Sequence, residues 1–296
     1  MESRQPLFGL INLDKPAGIT SRQAVDRVKR LVGRAKIGHC GTLDPLASGV
    51  LVVCIGPATR LAEFVQRQTK RYRATFLLGR TSPTDDVDGE VSEIPDAPQP
   101  SRDEVVATAQ ELTGQILQRP PSHSALKVAG KRAYELARAG QTVELAARPV
   151  DVYSWDIVDY AYPELVVDVA CSKGTYVRAL GRDLAESLGT GAVMSALVRK
   201  AVGAFHVNDA VSPETLTRAN LTDFLLPPSL AVVDLPHVEL DADQIAMVRH
   251  GGKLPASITS PDCQELAAFN DAGQLLALLT RATDRRFKPS VNFAGR

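Results

Sequence analysis

The 296-residue chain has four cysteines, Cys40, Cys54, Cys171 and Cys263, scattered and without a Cys-x-x-Cys pair. That excludes a disulfide-dense framework and a structural zinc site of common ligand spacing. Five histidines, His39, His123, His206, His237 and His250, lie far apart and form no His-Glu-x-x-His, so a catalytic metal has no motif either. No apolar run approaches the roughly 20 residues that cross a bilayer. The opening Met-Glu-Ser-Arg-Gln-Pro lacks the features of a secretory signal, so the expectation is a cytoplasmic protein. A dinucleotide-binding Gly-x-Gly-x-x-Gly is missing, and Gly251-Gly252-Lys253 is followed by Leu254 rather than the Ser or Thr of a P-loop. The acidic run at 85–90 does not make a calcium loop: aligning Gly89 with the loop glycine puts Thr84 at the first ligand position and Pro95 at the last. No internal repeat is visible.

Net charge is absent too, since 34 Lys plus Arg balance 34 Asp plus Glu. Taken alone this argues against a nucleic-acid partner, because phosphate contacts come from Lys and Arg. The distribution argues otherwise. Residues 1–80 hold 14 Lys or Arg against 5 Asp or Glu, a net of +9, while residues 81–120 hold 2 against 9, a net of −7. The basic excess is either a set of solvated helix faces or a surface for an anionic partner. At 44% hydrophobic and 23% charged, the composition is that of an ordinary globular protein, and the length suits one large domain or a large and a small one.

Residues 7–13 read as a short buried strand and 14–18 as a turn. Thr20 or Ser21 caps a helix whose apolar positions, Ala24, Val25, Val28, Leu31 and Val32, follow helical spacing. Its other face carries Arg22, Arg27, Lys29 and Arg30; Gly33 ends it, and Arg34 and Lys36 extend the basic stripe. A Gly-rich loop at 38–49 precedes a strand-like run at 50–55. Residues 71–78 alternate, placing Tyr72, Ala74, Phe76 and Leu78 on one face of a strand. The stretch 84–100 is an acidic, Pro-rich loop. Ser101 and Glu104 then cap a helix that buries Val105, Val106, Ala109 and Leu112, and a short helix is expected over 131–139. Two strand candidates, 150–160 and 165–171, lead through Ser172-Lys173-Gly174 into a helix with Val177, Leu180, Leu184 and Leu188 inward, stopped by Gly189. Pro227-Pro228 and Pro236 mark a boundary near residue 235. Beyond it stand a helix at 242–249 and a hairpin, 266–269 with 275–279. Non-adjacent strands interleaved with helices predict an α+β fold with a mixed sheet, residues 1–234 forming one domain and 235–296 a smaller one.

Chemistry concentrates in Gly38-His39-Cys40-Gly41-Thr42-Leu43-Asp44-Pro45. An Asp before Pro more often makes a local turn hydrogen bond than performs catalysis. Gly38, Gly41 and Gly49, however, let backbone approach a ligand closely, and the loop lies between a basic helix and a buried strand. In several separated blocks the sequence resembles the TruB family of tRNA pseudouridine synthases. The segment 13–21 is similar to that family's N-terminal motif and 38–51 to its catalytic motif. Lys70-Arg71-Tyr72 resembles the block supplying an active-site tyrosine. Ser124-Ala125-Leu126-Lys127 through Gly140, with Tyr134, resembles the insertion (about 122–148) that grips the RNA arm. The segment 171–178 matches the block with a second tyrosine and an arginine, and the C-terminal segment resembles, more weakly, a small PUA-like domain.

The resemblance implies a mainly antiparallel catalytic sheet flanked by helices, and an enzyme that isomerises uridine 55 in the T loop of tRNA to pseudouridine. It also implies no cofactor or metal, a tRNA T-arm partner, a monomer, no membrane, and a possible secondary role in tRNA folding. Asp44 is then the nucleophile or a base towards ribose. Burial under a base disfavours a charged carboxylate and a neighbouring guanidinium opposes that, so Arg178 is the candidate partner. A uridine in a folded loop must be extruded and stacked on an aromatic ring, which fits Tyr72, with Tyr176 beneath the base as well. Leu197 matches an apolar position of the pocket wall. Its neighbour Val198 replaces an expected basic residue, leaving Arg199 and Lys200 as substitutes for a phosphate contact. His39 fills space vacated by the base, helps its extrusion, or is structural; Lys15 is structural or positions the loop. If the basic N-terminal surface meets tRNA, affinity falls steeply with added salt, and a flat salt titration would count against it.

Overall fold

The computed structural model describes residues 7–121, 127–128, 131–132 and 145–295. Its strands are β1 (Gly9–Lys15), β2 (Ile37–His39), β3 (Ser48–Ile55), β4 (Lys70–Leu78), β5 (Arg80–Thr81), β6 (Ser92–Glu93), β7 (Gly114–Gln118), β8 (Lys127–Val128), β9 (Lys131–Arg132), β10 (Arg148–Ala161), β11 (Glu164–Cys171), β12 (Ala192–Val202) and β13 (Phe205–His206), then β14 (His237–Glu239), β15 (Glu265–Phe269), β16 (Leu275–Arg281) and β17 (Phe287–Asn292). The large sheet runs β1-β3-β12-β4-β11-β10-β7, with β2 on β3 and β13 on β12. Its pairings are antiparallel except β12 with β3, which is the mixed, mainly antiparallel sheet expected. A second sheet, β14-β15-β16-β17, is built wholly from residues 237–292.

The apolar run of β3 is buried on both faces, which is why it shows no alternation. Leu51, Val53 and Ile55 join Ile11 and Leu13 under the first helix, Ser21–Val32, whose Ala24, Val25, Val28 and Val32 close the layer. Val50, Val52 and Cys54 face the other way, into a cluster with Phe205, Val232, Leu278 and Phe293 that ties the small sheet to the large one. The turn expected at 14–18 begins later: Asp14 and Lys15 stay in β1, paired with Val50 and Gly49. Thr20, not Ser21, caps the first helix, through a reciprocal bond with Gln23.

In β4 alternation is regular: Lys70, Tyr72, Ala74, Phe76 and Leu78 point inward. Onto that face pack the helices Arg102–Glu111 and Val177–Ser187, joining one core with Val167, Leu180, Leu184 and Met194. The stretch 84–100 is not a free loop: β6 pairs with β5, and Asp86 bridges to Met194 at the end of β12. Where a helix was expected over 131–139, Lys131 and Arg132 instead form β9, paired with β8; the rest of that stretch, Tyr134 included, lies outside the described residues.

Gly181 lets the helix Val177–Ser187 lie directly on β4: a Cβ there would come 2.1 Å from Cε1 of the buried Phe76 ring. Gly181→Ala is therefore expected to destabilise the fold by about 1–3 kcal/mol through overpacking. The urea midpoint measures this, and an unchanged midpoint contradicts it.

Candidate active site

The loop between β2 and β3 is held from beneath by side chains that never reach the surface. Ser21, freed from capping, accepts from the Leu43 N–H at 2.8 Å and donates to the Leu43 carbonyl at 2.9 Å. Gly18 N–H donates to the Pro45 carbonyl at 2.8 Å. Lys15 is fully buried, and its Nζ donates to the carbonyls of Ile19 at 2.7 Å, Pro16 at 2.9 Å and Pro45 at 3.5 Å. Burial first, and Arg199 second, pull the Lys15 pKa down to about 8, while the Asp44 charge opposes them. The segment 13–21 thus works as a cradle for the loop. At Gly49 the backbone has φ +95°, and a Cβ would stand 2.4 Å from the Arg199 carbonyl, so only glycine lets β3 start this close to β12.

A cavity of about 690 Å³ opens above the loop, and six of the seven expected site residues line it: His39, Asp44, Tyr72, Tyr176, Arg178 and Leu197. Lys15 lies below, behind the loop. Asp44 is 38% exposed along its side chain, and its Oδ2 stands 3.1 Å from Nε of Arg178, which is only 6% exposed. The pairing expected from the sequence is present, with the carboxylate at the solvent side and the guanidinium behind it. Tyr72 projects from β4 and is buried, which pushes its phenol pKa up. Tyr176 precedes the helix Val177–Ser187; its N–H donates to Gln118 Oε1 at 2.8 Å, and Gln118 Nε2 donates back to its carbonyl at 3.1 Å. Leu197, on β12 opposite Ala74, is a buried wall. His39 has its pKa lowered, by burial first and then by Arg199, and its Nδ1 is buried without a hydrogen-bond partner.

Sequence reasoning missed three members. Asp86, set aside with the acidic run, is 3% exposed and lies 3.3 Å from Nη1 of Arg178, while Thr84 Oγ1 donates to its Oδ1 at 2.6 Å and Asp88 N–H at 3.2 Å. Only the need of a buried Arg178 for compensating charge pointed to it. Arg148 sets its guanidinium 5.2 Å from the Tyr176 ring centre and donates to the Gly174 carbonyl at 2.6 Å. Lys70, another inward residue of β4, lines the cavity with its pKa drawn down to about 8, by burial and then by Arg199. The phosphate contact offered to Arg199 is corrected: its side chain is buried and bound to backbone carbonyls. Lys200 turns to Asp168, at 3.6 Å, on the cavity's far side of β12. With Lys70, Arg148, Lys173, Arg178 and Arg199 around one carboxylate, the cavity is strongly cationic and suits a polyanion.

This sheet with a cleft above its central strands is the architecture of pseudouridine synthases. A solved Cbf5-Nop10-Gar1 complex superposes with a TM-score of 0.75 at 26% identity, covering 97% of this chain and 84% of that one. A solved H/ACA RNP bound to a substrate RNA superposes with a TM-score of 0.74 at 24% identity, covering 97% and 85%, and shows the shared fold. Sequence comparison narrows the class. The family described as "TruB family pseudouridylate synthase (N terminal domain)" matches residues 29–177. The tRNA pseudouridine synthase B of Ralstonia nicotianae is 41% identical over 94% of this chain and 90% of its own length. That of Thermobifida fusca is 40% identical over 97% and 99%. The chain belongs to the TruB family of pseudouridylate synthases.

Asp86→Asn removes one of the two carboxylates that hold Arg178 and should let the guanidinium rotate away from Asp44. The expected result is a fall in pseudouridine formation of about tenfold to a hundredfold, with little change in RNA affinity. Single-turnover rates alongside filter-binding curves check it, and a wild-type rate would refute the positioning.

Proposed function

We propose that the protein isomerises uridine 55 in the T loop of tRNA to pseudouridine, with Asp44 as the nucleophile or as a base towards ribose. What carries this is the convergence of Asp44, Tyr72, Tyr176 and Arg178, from three separate chain segments, on one cationic cavity. The reaction breaks the bond from ribose C1′ to N1 of uracil and forms one from C1′ to C5; C5 gives up its proton and N1 gains one. Every heavy atom of the product base and sugar comes from the substrate, the C5 proton is lost to solvent and the N1 proton taken up from it, and no oxidant or reductant is required, so the residues supply the chemistry without a cofactor.

The uridine reaches Asp44 only after leaving its stack. Stacking on an aromatic ring contributes about 1–3 kcal/mol per base, enough to offset much of that cost, and Tyr72 is the platform with Tyr176 beneath. Arg178 keeps Asp44 ionised and aimed, Leu197 closes the wall, and His39 at the rim enters the space the base leaves. Lys15 supports the loop through its carbonyls. The partner is the tRNA T-arm stem-loop, bound by a cytoplasmic monomer. Residues 1–234 are the catalytic domain, with the insertion around 122–148 gripping RNA, and 235–296 a PUA-like RNA-binding domain.

Incubation with tRNA transcript tritiated at uridine C5 tests the chemistry. Wild type is expected to release tritium and form pseudouridine at one position of the T loop, and Asp44→Asn to lose release while still binding tRNA. Equal release from both proteins, or none from wild type while tRNA binds, overturns the assignment; free uracil among the products would mark a hydrolase instead.

A further inference from the structure

Arg199 sits in the middle of the sheet, on β12, and its side chain is almost wholly enclosed. Its Nε donates to the Val50 carbonyl at 2.6 Å, Nη2 to the Gly41 carbonyl at 3.1 Å and Nη1 to the Thr42 carbonyl at 3.5 Å. These carbonyls stand at the two ends of the segment 41–50, and Asp44 lies between them. Across the sheet Arg199 is in register with Tyr72 on one side and Gly49 on the other. One residue therefore bonds both ends of the nucleophile's loop from the strand position that pairs with the residue expected to carry the base.

No carboxylate forms an ion pair with Arg199 among the described residues. It shares its interior with two other buried cations, Lys15 and Lys70, and depresses the proton affinity of both and of His39. A buried charge compensated only by carbonyls, among like charges, is a costly arrangement compared with apolar packing of equal volume. Stability alone does not account for it. Guanidinium geometry does, because five donors in a rigid fork can span three carbonyls that an ammonium cannot hold together.

We propose that Arg199 is a positioning residue for the isomerisation: from its place beside Tyr72 in the sheet it fixes the span from Gly41 to Val50, so that carboxylate and base platform keep one geometry. It acts through backbone carbonyls rather than on the substrate. The kinetic side of this rests on the function proposed above; the structural side does not.

The experiment uses the full-length R199K, which keeps a buried cation of similar reach, and R199M, which removes the charge. Three quantities are read: single-turnover tritium release at saturating tRNA, the tRNA Kd, and amide hydrogen exchange across 38–50. For R199K the release rate is expected to fall on the order of 10²-fold, as for a displacement near 1 Å, with Kd little changed. Exchange across 38–50 should quicken, while the sheet β14–β17 keeps its protection. R199M should show the same if circular dichroism finds it folded, and R199K carries the test if not. Wild-type rate with wild-type exchange in R199K overturns the proposal. So does a weakened Kd with an intact rate at saturation, which would make Arg199 a phosphate contact. If wild type releases no tritium, the proposed function fails separately, and exchange across 38–50 decides whether Arg199 clamps the loop.

Discussion

Arg178 stands between two carboxylates, Asp44 at 3.1 Å and Asp86 at 3.3 Å, with the Thr84 carbonyl accepting from Nη1 at 2.6 Å. Breaking a buried ion pair by removing one partner costs about 3–5 kcal/mol, so a guanidinium this enclosed needs its compensating charges fixed in advance. The helix Val177–Ser187 brings Arg178 to β4, the acidic segment brings Asp86 to the end of β12, and the loop after β2 brings Asp44. Asp86 compensates the charge permanently from inside. That leaves Asp44, the more exposed partner, able to change its bonding during a reaction without stranding the cation.

Support of the loop divides along its two faces. From one side Ser21 and Lys15 grip Leu43 and Pro45, residues flanking Asp44; from the other Arg199 reaches Gly41, Thr42 and Val50. Nearly all of these bonds end on backbone atoms. The Asp44 carboxylate is therefore turned to the cavity while the chain that carries it is bonded from behind. A carboxylate carried on backbone bonded from both sides is the kind of arrangement that electrostatic preorganisation demands.

Periodicity made the scaffold legible. Helical spacing in 24–32 and 177–188 and alternation in 72–78 follow directly from burial of one face, and each element formed as spaced. The site was legible only in part. Asp44, Tyr72, Tyr176 and Arg178 stood out because their blocks resemble a known family; spacing alone gives no reason for them to meet, since β4, the loop and the helix are far apart in sequence. Asp86 was illegible because a buried acid in an acidic, Pro-rich stretch looks like solvent-facing loop until β12 is seen beside it. Arg199 was offered as a phosphate contact because the strand β12 that buries it was not read from the sequence: it alternates weakly, and both faces of a central strand are covered. The strand β1 ran longer than its turn signal because Lys15, though charged, is paired in the ladder and satisfied by carbonyls.

The position of β12 has a consequence in time. It lies between β3, to which it is parallel, and β4, so the two strands that flank it touch through a segment made some 120 residues later than β4. Pairings of such long sequence separation are entropically slow to close, and they form late on a folding pathway. During synthesis, then, the loop carrying Asp44 and the strand carrying Tyr72 exist well before they share a neighbour. The nascent protein has no assembled pocket until β12 has emerged and inserted, so competence to bind arrives in one late, cooperative step rather than building up along the chain.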